Sequence, residues 1–340
     1  MQGAAAGIPL WALHRRPVFG TIQVDSSLLA FNYHKIRCVL MPIPHKTSRY
    51  LMGKTRAAIL FFLVLMLSGL CGACATPPPR VPKVTPEPTQ LHLDGKFVWY
   101  DLFTSDLQAT RQFYEALFGW SFQETPSGAK QVLTISREGI PIANAVSADR
   151  TKIKDQPSRW LSYMSVADVD QTALRIEKNH GSVFMPPKNL PDRGRVAVVK
   201  DPEGALFAVV TTSEGDPPDP AFDLNDFLGS ELWAKHLETA IIFYQALVEY
   251  EIEMVDVGNE KDYLLLVTDD QPRAGVVQIP WDDVKPNWVP YIAVEDVAAV
   301  AARVESLGGR LLIAPNPEIR EGNAAIIADP SGAVFGIQER

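Results

Sequence analysis

The chain has 340 residues, 46% of them apolar, three cysteines and a formal net charge of −8. From residue 75 onward 24 basic residues face 39 acidic ones, which excludes nucleic acid and other phosphate-rich partners, whose recognition needs clustered positive charge. Cys38, Cys71 and Cys74 all lie before that point, so the body can build neither a disulfide nor a thiolate metal site.

In chain order, residues 1–51 carry Arg15, Arg16, Lys35, Arg37, Lys46 and Arg49 against Asp25 and show no periodicity. They are expected to be a non-native or unstructured leader, with translation beginning at Met52. Residues 52–74 have the layout of a secretory signal: a basic Met52–Arg56, an almost unbroken apolar Ala57–Leu70, then small residues up to Cys74. The apolar run has 14 residues, short of the roughly 20 that span a bilayer. Cleavage or a lipid anchor is therefore expected rather than a transmembrane helix, with a retained signal anchor as the alternative. Residues 70–74 resemble a bacterial lipoprotein box, which implies lipidation of Cys74, although Cys71 stands where Leu or Val is usual. Such a signal directs the protein to the cell envelope, anchored on the periplasmic side or secreted. Residues 75–91, with Pro77, Pro78, Pro79, Pro82, Pro86 and Pro88, favour extended polyproline backbone that forms no packed core. They read as a tether.

The body alternates strands and helices. Strand Phe97–Phe103, helix Leu107–Phe118 and strands at Trp120–Gln123, Gln131–Arg137 and Ile140–Val146 are followed by a second cycle: strand Leu161–Val166, helix Val169–Asn179 and strands at Ser182–Met185, Val196–Lys200 and Leu206–Thr211. After an Asp- and Pro-rich linker near Ser213–Asp226, the pattern repeats with helices His236–Val248 and Val297–Leu307. The repetition is also literal. Trp160-Leu-Ser-Tyr163 returns 128 residues later as Trp288-Val-Pro-Tyr291, Asp201-Pro-Glu-Gly204 returns at the same offset as Asp329-Pro-Ser-Gly332, and Phe113-Tyr114 returns after 130 as Phe243-Tyr244. Three ordered matches at so steady a spacing mark a tandem duplication, with domains at 92–213 and 227–340 joined by a linker at 214–226.

An Asp before a helix that carries Phe-Tyr and ends in Gly-Trp, then Val-x-Asp-Val before a second helix, then Asp-Pro-x-Gly-x-x-Phe before the last strand, resembles the vicinal oxygen chelate superfamily of glyoxalases, bleomycin resistance proteins and extradiol dioxygenases. The resemblance implies an α+β fold of four βαβββ modules, two per domain, each pair forming one curved, mixed, eight-stranded sheet around a cleft. It also implies metal ligands at fixed strand positions. In this sequence those positions hold Trp99, Leu161 and Ala208 in the first copy and Gly229, Val289 and Gly336 in the second. None offers an imidazole, carboxylate or thiolate, so no metal and no cofactor is expected. His92, His180 and His236, the three histidines of the body, have ordinary structural explanations, His180 at a helix end and His236 at a helix start.

Strand side chains alternate, so residues two away from a former ligand position face the same cleft. This selects Asp101 and Tyr163 beside Trp99 and Leu161 in the first domain, and Glu231, Trp233 and Tyr291 in the second. Aromatic walls with a carboxylate and a phenol suit a small-molecule site, although ordinary core packing would explain the same residues. Three functions are compatible with this reading: a metal-free binding protein for an apolar or aromatic small molecule, a lyase or dioxygenase using atypical ligands or acid–base groups such as Asp101, and a structural or interaction protein. The first is favoured because both domains persist while all six ligand positions have changed. No catalytic residue can be named.

Overall fold

The computed structural model describes residues 81–125, 131–148, 158–219, 223–257 and 260–340. The leader, the signal region and Cys74 lie outside the described residues. Among the described residues no helix is long and apolar enough to cross a membrane.

Four βαβββ modules follow one another: β1 (Phe97–Thr104), α1 (Leu107–Phe118), β2 (Ser121–Thr125), β3 (Val132–Arg137), β4 (Ile140–Ser147); β5 (Arg159–Ser165), α2 (Val169–Lys178), β6 (Ser182–Leu190), β7 (Gly194–Lys200), β8 (Leu206–Thr212); β9 (Phe227–Ala234), α3 (Leu237–Leu247), β10 (Glu251–Val257), β11 (Glu260–Thr268), β12 (Gln271–Gln278); and β13 (Asn287–Val294), α4 (Val297–Val304), β14 (Arg310–Ile313), β15 (Ala324–Ala328), β16 (Val334–Glu339). Each pair of modules makes one mixed eight-stranded sheet, in the order β2-β3-β4-β1-β5-β8-β7-β6 and, in the same pattern, β10-β11-β12-β9-β13-β16-β15-β14. The fold is thus α+β with two duplicated halves.

Local chemistry explains the helix starts. Asp106, Asp168 and Asp296 each accept backbone N–H bonds from the first turn that follows, meeting donors that a helix leaves unpaired. At α3 that position is His236, which caps nothing with its side chain. Glu203, from the Asp201-Pro-Glu-Gly204 turn, instead accepts from the Lys235 and His236 amides just before the helix at 2.8 and 3.0 Å. Many element ends differ from the sequence expectation, most of them by one or two residues, and three of the differences are informative. Helix α2 stops one residue earlier, α4 tightens into a 3-10 turn at Glu305–Leu307, and β6 runs on through Pro186 and Pro187 to Leu190. Two prolines are tolerated there because β6 is an edge strand, paired with β7 through two register shifts.

A register shift at the start of β1 and of β9 sorts side chains between the two sheet faces. Phe97, Tyr100 and Leu102 join the helices in a core that continues into the second half through Phe227, Leu232, Trp288 and Phe335. Val98 and Trp99 face the other side with Leu161 and Tyr163. Across the shared core Tyr100 stacks on Phe227 with ring centroids 3.9 Å apart. Tyr114 donates to Asp329 (3.5 Å) and accepts from Trp160 (3.1 Å), and Tyr244 repeats this with Asp201 (3.1 Å) and Trp288 (2.9 Å).

The Pro-rich segment, expected to form no packed core, packs in part. The end of the Pro-rich segment enters the first domain: Val84 and Thr85 are 8% and 4% exposed. Val84 packs in the cluster of Trp99, Leu161, Tyr163 and Val196. The linker is pinned as well, because the buried Asp216 accepts from the Leu93 amide at 2.7 Å, Ser165 at 2.6 Å and Thr212 at 2.9 Å. Composition missed the packing of the Pro-rich segment because it measures a segment's own apolar content, whereas Val84 docks on a surface supplied by the sheet.

Candidate functional site

The six residues selected from the sequence fall into two clusters, one on the corresponding face of each sheet. In the first, Asp101 accepts from the Trp99 indole (3.0 Å), the Asn144 amide (3.0 Å) and the Tyr163 hydroxyl (2.5 Å). Arg193, from the β6–β7 turn, lies 4.0 Å above the Trp99 ring and 5.6 Å from that of Tyr163. Burial lowers the guanidinium pKa from its usual value, with Asp101 and Tyr163 opposing that shift. In the second, Glu231 accepts from Trp233 and Tyr291, both at 2.9 Å, and is ion-paired with Arg320. Arg320 also donates to Gln338 (3.1 Å) and lies 4.9 and 5.0 Å from the rings of Tyr291 and Tyr263.

Both phenols are donors. Burial pushes Tyr291 well above the usual tyrosine value, and the Glu231 carboxylate adds to that push against the pull of Arg320. Tyr163 is raised in the same way by burial and Asp101, opposed by Arg193. A buried ion pair such as Glu231–Arg320 costs desolvation that its attraction barely repays, so it sets polarity and orientation at the site more than it adds stability. Arg320 and Glu321 are themselves held at positive φ, 48° and 55°, a sparsely populated conformation for non-glycine residues.

The two clusters surround different spaces. In the second domain a cavity of about 410 Å³ opens beside Glu231 and Arg320, walled by Trp233, Tyr263, Ile326 and Trp281. Trp281 is 45% exposed and stands at the mouth, its ring centroid 6.4 Å from that of Trp233. In the first domain the equivalent face carries Val84, and Arg193 donates to the Pro82 carbonyl at 3.0 Å. The chain therefore occupies its own first cleft.

The positions of the expected metal ligands do not fit a metal. Leu161, Ala208 and Val289 are buried apolar residues, the Trp99 indole is spent on Asp101, and Gly336 is packed against the Tyr291 ring. Among the described residues no three His, Cys, Asp or Glu side chains gather where they could hold an ion. His236 bonds Glu203 at 2.7 Å, away from either cleft cluster.

Arg193, Arg320, Asn144, Tyr263 and Trp281 were not selected from the sequence. Arg193 precedes Gly194 directly, whereas Arg320 is separated from Gly322 by Glu321. This one-residue slip hid the pair, although an Arg close to a Gly in both β-hairpin loops was a usable signal.

The family model described as Glyoxalase/Bleomycin resistance protein/Dioxygenase superfamily matches residues 96–209. The chain is 31% identical over 269 residues to the anthracycline biosynthesis protein DnrV of Streptomyces peucetius, covering 72% of this chain and 93% of that protein. It is 27% identical over 243 residues to the "Putative glyoxylase CFP32" of Mycobacterium tuberculosis, covering 70% and 92%. The fold matches the crystal structure of the 2,3-dioxygenase LapB from Pseudomonas sp. KL28 with a TM-score of 0.51 at 11% identity, over 73% of this chain and 92% of that one. With a relative above 30% identity aligned over most of its length, and with the duplicated eight-stranded sheets, the chain belongs to the glyoxalase/bleomycin resistance protein/dioxygenase superfamily.

Proposed function

We propose that the second cleft binds an uncharged, flat, mainly apolar small molecule, an aromatic ring system bearing a hydroxyl or carbonyl group, and that it does so without a metal ion. The observation that carries this reading is the cavity of about 410 Å³ with Trp233, Trp281 and Tyr263 on its walls and the Glu231–Tyr291–Arg320 set at its buried end. That volume lies within the range of about 300–1,000 Å³ typical of small-molecule pockets. Aromatic walls reward a planar ligand through stacking. Glu231 and Arg320 balance each other's charge, so a neutral molecule enters without leaving either ion unpaired. The name of the anthracycline biosynthesis relative supports a fused-ring aromatic ligand, since anthracyclines are compounds of that kind. The test is a fluorescence titration with Nile red, a neutral planar dye with a carbonyl group. Saturable binding is expected, weakened about 10- to 100-fold by Trp233→Ala, the loss of about 1–3 kcal/mol of aromatic contact. Equal affinity in a folded Trp233→Ala variant would place the dye elsewhere and contradict the reading.

We infer further that Cys74 is the lipidated first residue of a mature envelope protein, the support being the basic, apolar and small-residue order of residues 52–74. Cys74→Ser should move the protein from the membrane fraction to the soluble one. Unchanged fractionation would favour a retained signal anchor.

A further inference from the structure

The first cleft holds the same chemistry as the second and is closed by the protein itself. Residues 82–85 cross it. Val84 fills an apolar niche among Trp99, Leu161, Tyr163, Val196 and Val198, and the Pro82 carbonyl takes a hydrogen bond from Arg193 at 3.0 Å. Lys83 ties this strap to Glu214 of the linker at 2.9 Å. The contact between strap and cleft is incompletely matched: Arg193 Nη2 and Asn144 Oδ1 of the cleft and Thr85 Oγ1 of the strap are buried without a hydrogen-bond partner. Arg193 and Asn144 are each 1% exposed. An orphaned buried donor or acceptor carries a desolvation cost that a better-matched occupant would remove. In the second domain an acid, a tyrosine, a tryptophan and an arginine are brought together in the same way beside an open cavity.

We propose that the first cleft is a second, latent binding site for an uncharged, mainly apolar molecule with an acceptor oxygen, and that residues 82–85 are a displaceable strap that imitates this ligand. The strap presents what such a ligand would need: a branched apolar group for the niche and a carbonyl oxygen for Arg193. It leaves Arg193 Nη2 without an acceptor, which the oxygen of such a ligand would supply. Being covalently tethered, it competes at high effective concentration, so occupancy of the first cleft requires a ligand concentration high enough to displace it. The two sites would then fill in order, the open second cleft first.

The test is Nile red stoichiometry on the full chain and on a variant whose residues 82–85 are replaced by Gly-Ser-Gly-Ser. The unaltered protein should bind one equivalent at micromolar dye and the replacement variant two. The added equivalent should be displaced by the acetylated peptide Pro-Lys-Val-Thr-Pro-Glu, the sequence of residues 82–87. Combining the replacement with Trp233→Ala should weaken the first event about 10- to 100-fold and leave the second unchanged, so that failure of the second-cleft reading is told apart from failure of this one. Val84→Gly, which removes the niche-filling side chain and keeps the rest of the strap, should raise affinity at the first cleft by about 10-fold or more. A folded replacement variant with unchanged stoichiometry, or an added equivalent that the peptide does not displace, would overturn the proposal. Unfolding of both variants would make residues 82–85 part of the core and overturn it equally.

Discussion

Tyr291 can reach Glu231 because residue 336 has no side chain. A Cβ at Gly336 would come within 2.4 Å of the Tyr291 ring, so Gly336→Ala should push the ring aside, break the 2.9 Å bond to Glu231 and destabilise the fold by about 1–3 kcal/mol, the usual cost of overpacking. A lowered thermal midpoint together with weaker dye binding is the expected outcome. A second residue-scale expectation concerns Asp219. Burial raises its carboxyl, but hydrogen bonds from Arg273 and Lys96 outweigh that and leave it below its ordinary 3.8. A depressed folded value means that the stability Asp219 gains from Arg273 and Lys96 is present above about pH 4 and lost as the pH falls through the folded value. Asp219→Asn should therefore remove part of the acid dependence of stability, which an unfolding series from pH 6 to 2 would show. At this scale the strand residues were legible, because alternation along β1, β5, β9 and β13 places Asp101, Tyr163, Glu231 and Tyr291 without reference to loops. The arginines were not, because loop residues follow no period.

The literal repeats explain themselves as elements. The Tyr of each Phe-Tyr helix bonds the Trp near the start of β5 or β13 in its own half and, across the duplication, the Asp-Pro-x-Gly turn of the other half: Tyr114 to Trp160 and Asp329, Tyr244 to Trp288 and Asp201. Each turn aspartate also accepts two backbone amides of its own loop. These motifs hold the two halves together and stand apart from the clefts. Tyr114→Phe should leave the Trp160 indole N–H buried without its acceptor and cost about 1–3 kcal/mol, with little change in dye affinity at the second cleft. A large loss of binding without a loss of stability would instead tie this network to the ligand. Helices and strands were readable from periodicity and from the Asp caps. The 82–85 strap was not, because an extended Pro-rich segment has no signature of where it docks. Further along the same segment, Gly215 of the linker shows how closely the chain docks, since a Cβ there would meet the Thr89 hydroxyl at 2.4 Å.

For the molecule as a whole, duplication has produced two copies of one architecture with unequal clefts, one filled by the chain and one open. The six positions at which the resemblance implies metal ligands hold residues without metal donors, and Trp99 and Gly336 take part in hydrogen-bonded aromatic clusters, which supports the proposed recognition through stacking and hydrogen bonds. The most direct test is a calorimetric titration of Nile red into the purified body before and after exhaustive dialysis against EDTA, with elemental analysis of both samples. The expected result is substoichiometric metal throughout and an affinity that the chelator leaves unchanged. One equivalent of tightly held Fe, Mn, Ni or Zn, with binding abolished when it is removed, would contradict the account.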